Sequence, residues 1–124
     1  MQETLRTAMY RLVVEFLDAI NAGDVEHLTR KFGVSPQVLD EIHEAVNVDP
    51  RHPNPKLGLA PYEQAFEQDG RSRPSIEFFE MNDASSWGVE CSLWIDGRES
   101  EFILHAVVRE DAEGLALRYG YIGS

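Results

Sequence analysis

Residues 87–124 read WGVECSLWIDGRESEFILHAVVREDAEGLALRYGYIGS, and this stretch decides the fold. From Trp87 the odd positions are Trp87, Val89, Cys91, Leu93 and Ile95; the even ones are Gly88, Glu90, Ser92, Trp94 and Asp96. Apart from Trp94 this is an apolar/polar alternation of period two, the pattern of a strand with one face on a core. Asp96-Gly97 follows. A two-residue type I′ turn needs positive φ at both positions, and Asp-Gly tolerates it.

A two-residue loop fixes the register. Ile95 then faces Arg98, Cys91 faces Phe102, Val89 faces Leu104 and Trp87 faces Ala106. One face becomes Trp87, Val89, Cys91, Leu93, Phe102, Leu104, Ala106 and Val108, which is a core face. The other carries Glu90, Ser92, Trp94, Glu99, Glu101, Ile103, His105, Val107 and Arg109. Turn and hydrophobic pattern are independent signals, and they agree.

The next turn lies within Glu110 to Gly114. A five-residue loop would put Arg118 on the core face, where an unpaired charge costs several kcal/mol. A four-residue loop, Asp111 to Gly114, turns Arg118 outward and places Leu115, Leu117, Tyr119 and Tyr121 inward. Ser75 to Asn82 reads as an earlier strand, with Ile76 and Phe78 on one face and Phe79 and Met81 on the other. The predicted sheet is a four-stranded antiparallel meander over 75–123.

The chain before it is helical over 3–69. Leu5, Met9, Leu12, Phe16 and Ile20 recur at helical spacing through residues 3–22, with Val13 and Leu17 widening the stripe. Gly23 stops that helix. Asp24 caps a second, with Val25, Leu28 and Phe32 on its buried side and His27 on its wet side. Gly33 ends it. Ser35-Pro36 starts a third, with Val38, Leu39, Ile42 and Val46 as its stripe. Asp40 and Glu44 share its outer face as solvated carboxylates.

Asn47 to Pro61 is an irregular stretch with prolines at 50, 53, 55 and 61. Pro61 opens a short helix, Tyr62 to Gln68, with Tyr62, Ala65 and Phe66 on its apolar side. Gly70 ends it, and the basic loop Arg71-Ser72-Arg73-Pro74 leads to the sheet. The expected architecture is α+β: three to four N-terminal helices packed on a C-terminal four-stranded antiparallel meander, in a single domain, 1–124.

A chain of 124 residues buries about two-thirds of its unfolded surface and needs no covalent staple. Its single cysteine, Cys91, excludes an internal disulfide and alternates onto the core face, where it acts as a small hydrophobe. The start lacks the basic and apolar regions of a secretory signal, and no apolar run reaches the roughly 18 residues of a membrane span. A cytoplasmic protein with no membrane partner is expected. The net charge is −11, from 22 acidic and 11 basic side chains. That excess argues against nucleic acid, whose affinity rests on Lys and Arg. It serves solubility, or attraction to a basic partner.

The order of elements resembles the nuclear transport factor 2-like superfamily, the cystatin-like cone fold of ketosteroid isomerase and the SnoaL polyketide cyclases. Val13-Val14-Glu15-Phe16-Leu17-Asp18-Ala19-Ile20-Asn21-Ala22-Gly23-Asp24 is similar to their first helix and its Gly-Asp exit. Ser86-Trp87-Gly88-Val89-Glu90, together with the ending Gly120-Tyr121, also resembles small bacterial domains of unknown function. The resemblance implies a pocket between sheet and helices and dimerisation through the sheet. Many members are enzymes and others only bind. The strands here read as more regular, and shorter of bulge signals, than the long, bent strands common in that superfamily.

Neither a phosphate loop, nor His-Glu-x-x-His, nor Cys-x-x-Cys occurs. The four histidines, His27, His43, His52 and His105, are scattered, and no serine sits in a nucleophile elbow. The inward face of the last three strands offers no Asp, Glu, His or Lys to act as a base. No catalytic residue, metal ligand or cofactor is therefore expected. Two candidate sites remain. Tyr62, Phe66, Trp87, Tyr119 and Tyr121 would line an apolar pocket closed by the 47–61 loop, fit for a small apolar ligand without turnover. Trp94, Ile103, His105 and Val107, among carboxylates, make the outer sheet face too apolar to stay wet, so it is expected to meet a second copy or a protein partner. The foremost expectation is a non-catalytic acidic module that binds through this face. A small enzyme or ligand binder comes next, then an immunity-type acidic antagonist of a basic protein.

Overall fold

The computed structural model describes residues 1–68 and 73–123. The elements run α1 (Glu3–Ala22), α2 (Val25–Phe32), α3 (Pro36–Val46), β1 (Leu57–Gly58), α4 (Tyr62–Ala65), β2 (Ile76–Glu80), β3 (Ser86–Ile95), β4 (Arg98–Asp111) and β5 (Gly114–Gly123). This is the expected α+β order, helices first and a curled antiparallel sheet after. It is compatible with a nuclear transport factor 2-like arrangement. Gly70, Arg71 and Ser72, read as a helix stop and a basic loop, lie outside the described residues.

The helix ends follow local chemistry. The Asp24 carboxylate accepts from the His27 backbone N–H, and the Ser35 hydroxyl from that of Val38 with Pro36 in the first turn. The α1 stripe buries Met9, Leu12, Val13, Phe16, Leu17, Ala19 and Ile20. Leu28 and Phe32 of α2 and Leu39, Ile42 and Val46 of α3 complete the helical half of the core. Val25, expected on the buried side of α2, is exposed. α4 stops at Ala65, short of the expected Gln68.

The meander β2–β3–β4–β5 forms, with a fifth strand added. The two-residue β1, inside the stretch read as irregular, pairs with the end of β3, Leu57 against Ile95 and Gly58 against Trp94. The Asn21 side chain holds it, donating to the Leu57 carbonyl at 2.8 Å and accepting from the Leu57 N–H at 2.9 Å. Asp96 and Gly97 both take positive φ, as the type I′ turn requires.

Beyond that turn the predicted pairing is corrected by two residues. Trp94 faces Glu99, but Ser92 faces Ile103, so one residue of β3 spans three of β4. Ser100 absorbs the excess: its hydroxyl donates to the Leu93 carbonyl at 2.7 Å and accepts from the Phe102 N–H at 3.1 Å. Cys91 therefore faces Leu104, not Phe102. A shift of two leaves every side chain on its predicted face. Trp87, Val89, Cys91, Leu93, Leu104, Ala106 and Val108 are all buried.

The β4–β5 register agrees with the four-residue reading, Glu110 against Leu115. It then shifts by one between His105 and Ala106, where Gly120 is extra. Tyr121 is thereby carried to the outer face and Ile122 takes the inward position opposite Leu104. The strands are thus long and bulged, contrary to the expectation of regular ones. A Cβ on Gly120 would lie 2.7 Å from the His105 carbonyl oxygen, a backbone atom that cannot swing aside. Gly120→Ala is expected to cost about 1–3 kcal/mol in chemical denaturation. An unchanged midpoint would show that the strands do not approach there.

Candidate functional site

The five residues expected to line one pocket are distributed among several places. Tyr62 stands edge-on to Tyr10 and Phe66, at ring distances of 5.2 and 5.5 Å. Its hydroxyl shares a 3.0 Å hydrogen bond with Thr7 and accepts from Arg6 Nε at 3.4 Å. The Thr7 bond, then the Arg6 bond, draws the phenol below its ordinary pKa. The Arg6 guanidinium lies 4.6 Å above the Phe66 ring. Trp87 borders a cleft with Phe78 and Leu5. Tyr119 is stacked on Phe16 at 6.0 Å near α2 and α3, its phenol pushed up by burial. Tyr121, expected inward, is 58% exposed on the outer face.

Leu12, Phe16 and Ile42 are buried in the interior that the pocket needed. Nor does the 47–61 segment act as a cover. The Tyr10 hydroxyl donates to the Ala60 carbonyl at 2.8 Å, and Leu57 and Ala60 are buried. The segment is also clamped to the β3–β4 turn, where Asp96 bonds the His52 ring and accepts the Lys56 N–H at 3.0 Å.

The His52 bond, then the Lys56 bond, lowers the Asp96 pKa below its ordinary 3.8. A carboxyl held below its unfolded value stabilises the fold above that value and loses the contribution as pH falls through the lower one. A carbon-detected NMR titration should place the Asp96 midpoint under 3.8, and His52→Ala should raise it. A midpoint at or above the ordinary value would contradict the clamp.

Other ionisable groups form surface pairs. Glu15 takes Lys31 at 2.8 Å and His27 at 2.9 Å, so His27 is a half-buried α1–α2 bridge and not the solvated residue expected. These contacts, Lys31 first, hold the Glu15 pKa low. Cys91 is fully buried, and desolvation raises its thiol far above the reactive range. Among the described residues no three His, Cys, Asp or Glu come together as a metal set. No helix among them is long and apolar enough to cross a membrane.

The outer face is built in rows across the strands. Phe79, Gly88, Val107 and Arg118 form one, and Glu77, Glu90, His105 and Tyr121 the next. Ser92, Ile103 and Gly123 form a third. His105 stacks flat on Tyr121, centroids 4.2 Å apart and planes 10° apart. A Cβ on Gly88 would lie 2.2 Å from the Phe79 ring, so the glycine makes the seat in which that ring lies. Phe79 remains 43% exposed.

Of the four expected interface residues, Ile103, His105 and Val107 come together here. Trp94 lies at the far end, half-buried against the core, and its Nε1 is buried with no hydrogen-bond partner among the described residues. The expected interface set left out Phe79, though it was read on the face opposite Ile76 and Phe78, and Tyr121, which was read inward. Phe79 was findable, because it alternates with the core residues Ile76 and Phe78; Tyr121 was hidden by the extra Gly120.

A family model described as domain of unknown function (DUF7668) matches residues 17–123. Neither the curated proteins nor the solved structures give a match.

Proposed function

We propose that the chain, which belongs to the DUF7668 family of unknown function, is a non-catalytic module that docks a protein surface through the outer face of its sheet. The observation that carries this reading is the apolar centre of that face. Phe79 and the Tyr121–His105 stack flank Val107 and Ile103, and no described element covers the two exposed rings. Exposed aromatics beside aliphatics, rimmed by charge, are the composition of an interface core. The reading takes the module as non-catalytic. Ionisable groups among the described residues lie in surface pairs, some between elements, as Glu15–Lys31, and some within one, as Glu26–Arg30.

A second copy is the partner this face fits best. Net charge opposes self-association, but the face carries both signs, with Arg109 and Arg118 toward one end and Glu99 and Glu101 toward the other. Two copies related by a two-fold axis across the strands set opposite charges together, with Val107 over Ile103 of the other.

Position-specific photo-cross-linking tests the docking reading. A photoreactive side chain at 107 should form a discrete adduct, with itself or another protein, that Ile103→Glu abolishes. The same group at exposed Glu26 on α2 should form none. Equal adducts at both positions, or an adduct indifferent to Ile103→Glu, would remove the reading.

A further inference from the structure

The first turn of α1 and the β2–β3 end of the sheet border one another. A cleft of about 650 Å³ opens there, lined by Met1, Gln2, Leu5, Phe78, Glu80 and Trp87. Phe78 faces Val89, and Glu80 faces Trp87 across the β2–β3 ladder, so both lie on the inward side of the sheet. The core face thus ends in two aromatic rings and one carboxylate. Among the described residues Glu80 has neither an ion pair nor a hydrogen bond from another side chain. Trp87 is 8% exposed and is held by the core, while Phe78 is wedged against Phe66 at 5.5 Å. The walls are preset by packing, whereas the carboxylate at the mouth is unspent.

Aromatic faces attract cations through the ring quadrupole, and a carboxylate adds a full charge. Leu5 and Met1 supply apolar wall for a hydrophobic body. Anions are disfavoured, both by Glu80 and by the −11 charge of the chain. The geometry points to a binding site for a small organic ammonium compound with an apolar body, its cationic head against Glu80 and Trp87 and its body against Leu5 and Phe78. This site is independent of the outer-face reading, because it lies on the opposite side of the sheet.

The test uses benzyltrimethylammonium as probe, with benzyl alcohol and benzenesulfonate as neutral and anionic comparisons, followed by NMR. The ammonium probe should shift the Trp87 indole N–H and the Leu5 methyl resonances saturably, and benzenesulfonate should not. Glu80→Gln should weaken the ammonium probe about two- to fivefold, the range of an exposed ion pair. Glu80→Lys should abolish binding while the remaining spectrum stays native, since Glu80 is exposed at the sheet margin. Two results would overturn the site: absence of saturable shifts at Trp87 and Leu5, or equal affinity for benzyl alcohol that Glu80→Lys leaves unchanged.

Discussion

Cys91→Asp is expected to destabilise the protein by about 3–5 kcal/mol, because a carboxylate would be buried there without a partner. The position is 0% exposed, paired on either side by Ile76 and Leu104, on the core face of the central strand. No described cation lies on that face, and the site can relax only by protonating the new carboxyl. The loss should therefore shrink at acid pH, where the neutral acid forms. Urea unfolding across pH measures both effects. In the native wild type the thiol should resist labelling, since burial keeps it protonated and covered. Rapid, complete labelling would overturn the placement of β3.

The second large effect is expected at Phe16. Its ring is fully buried, packs edge-on to Phe32 at 5.3 Å and stacks with Tyr119 at 6.0 Å. It ties α1 to α2 and to β5 at once. Phe16→Ala removes the transfer energy of the ring and leaves a cavity between elements that cannot close independently, costing about 3–5 kcal/mol. Denaturant unfolding should register the loss as a lower midpoint with little change of slope. A cost under about 1 kcal/mol would mean that the interior is a cavity lined by Tyr119, as the sequence suggested, and not a filled core.

That contrast marks what was legible in the residues. Local rules carried far. Asp24 and Ser35 cap where their side chains suit caps, and Asp96-Gly97 turns where positive φ is tolerated. The core face of β3 and β4 was readable because alternation has period two and the actual shift at Ser100 is also two. The two errors have one physical source. Extra residues in a strand are placed by tertiary bonding, Ser100 to the Leu93 carbonyl and Gly120 to the close approach of the His105 carbonyl, and neither leaves a mark in hydrophobic pattern. A shift of two was harmless to the faces, but the shift of one at Gly120 turned Tyr121 from pocket to surface. β1 was unreadable because two residues, Leu57 and Gly58, carry no periodicity and are fixed by Asn21 from 36 positions away.

Alternation alone put Ile103, His105 and Val107 on the outer face of the sheet, which the β3–β4 register matches. Alternation does not decide the enclosed pocket, because which side chain fills an interior depends on how the helices cross the sheet. Glu80 follows from parity: with Ile76 and Phe78 inward, it is the third residue of that alternation.

We propose that the outer sheet face docks a protein surface, a second copy first. Sedimentation equilibrium over the micromolar range, on the wild type and on Ile103→Glu, decides it. A reversible monomer–dimer equilibrium is expected for the wild type and a shift to monomer for Ile103→Glu, whose unfolding midpoint should stay close to wild type because Ile103 lies on the outer face. A wild type that remains monomeric at the highest concentrations, or a dimer that Ile103→Glu leaves intact, would contradict it.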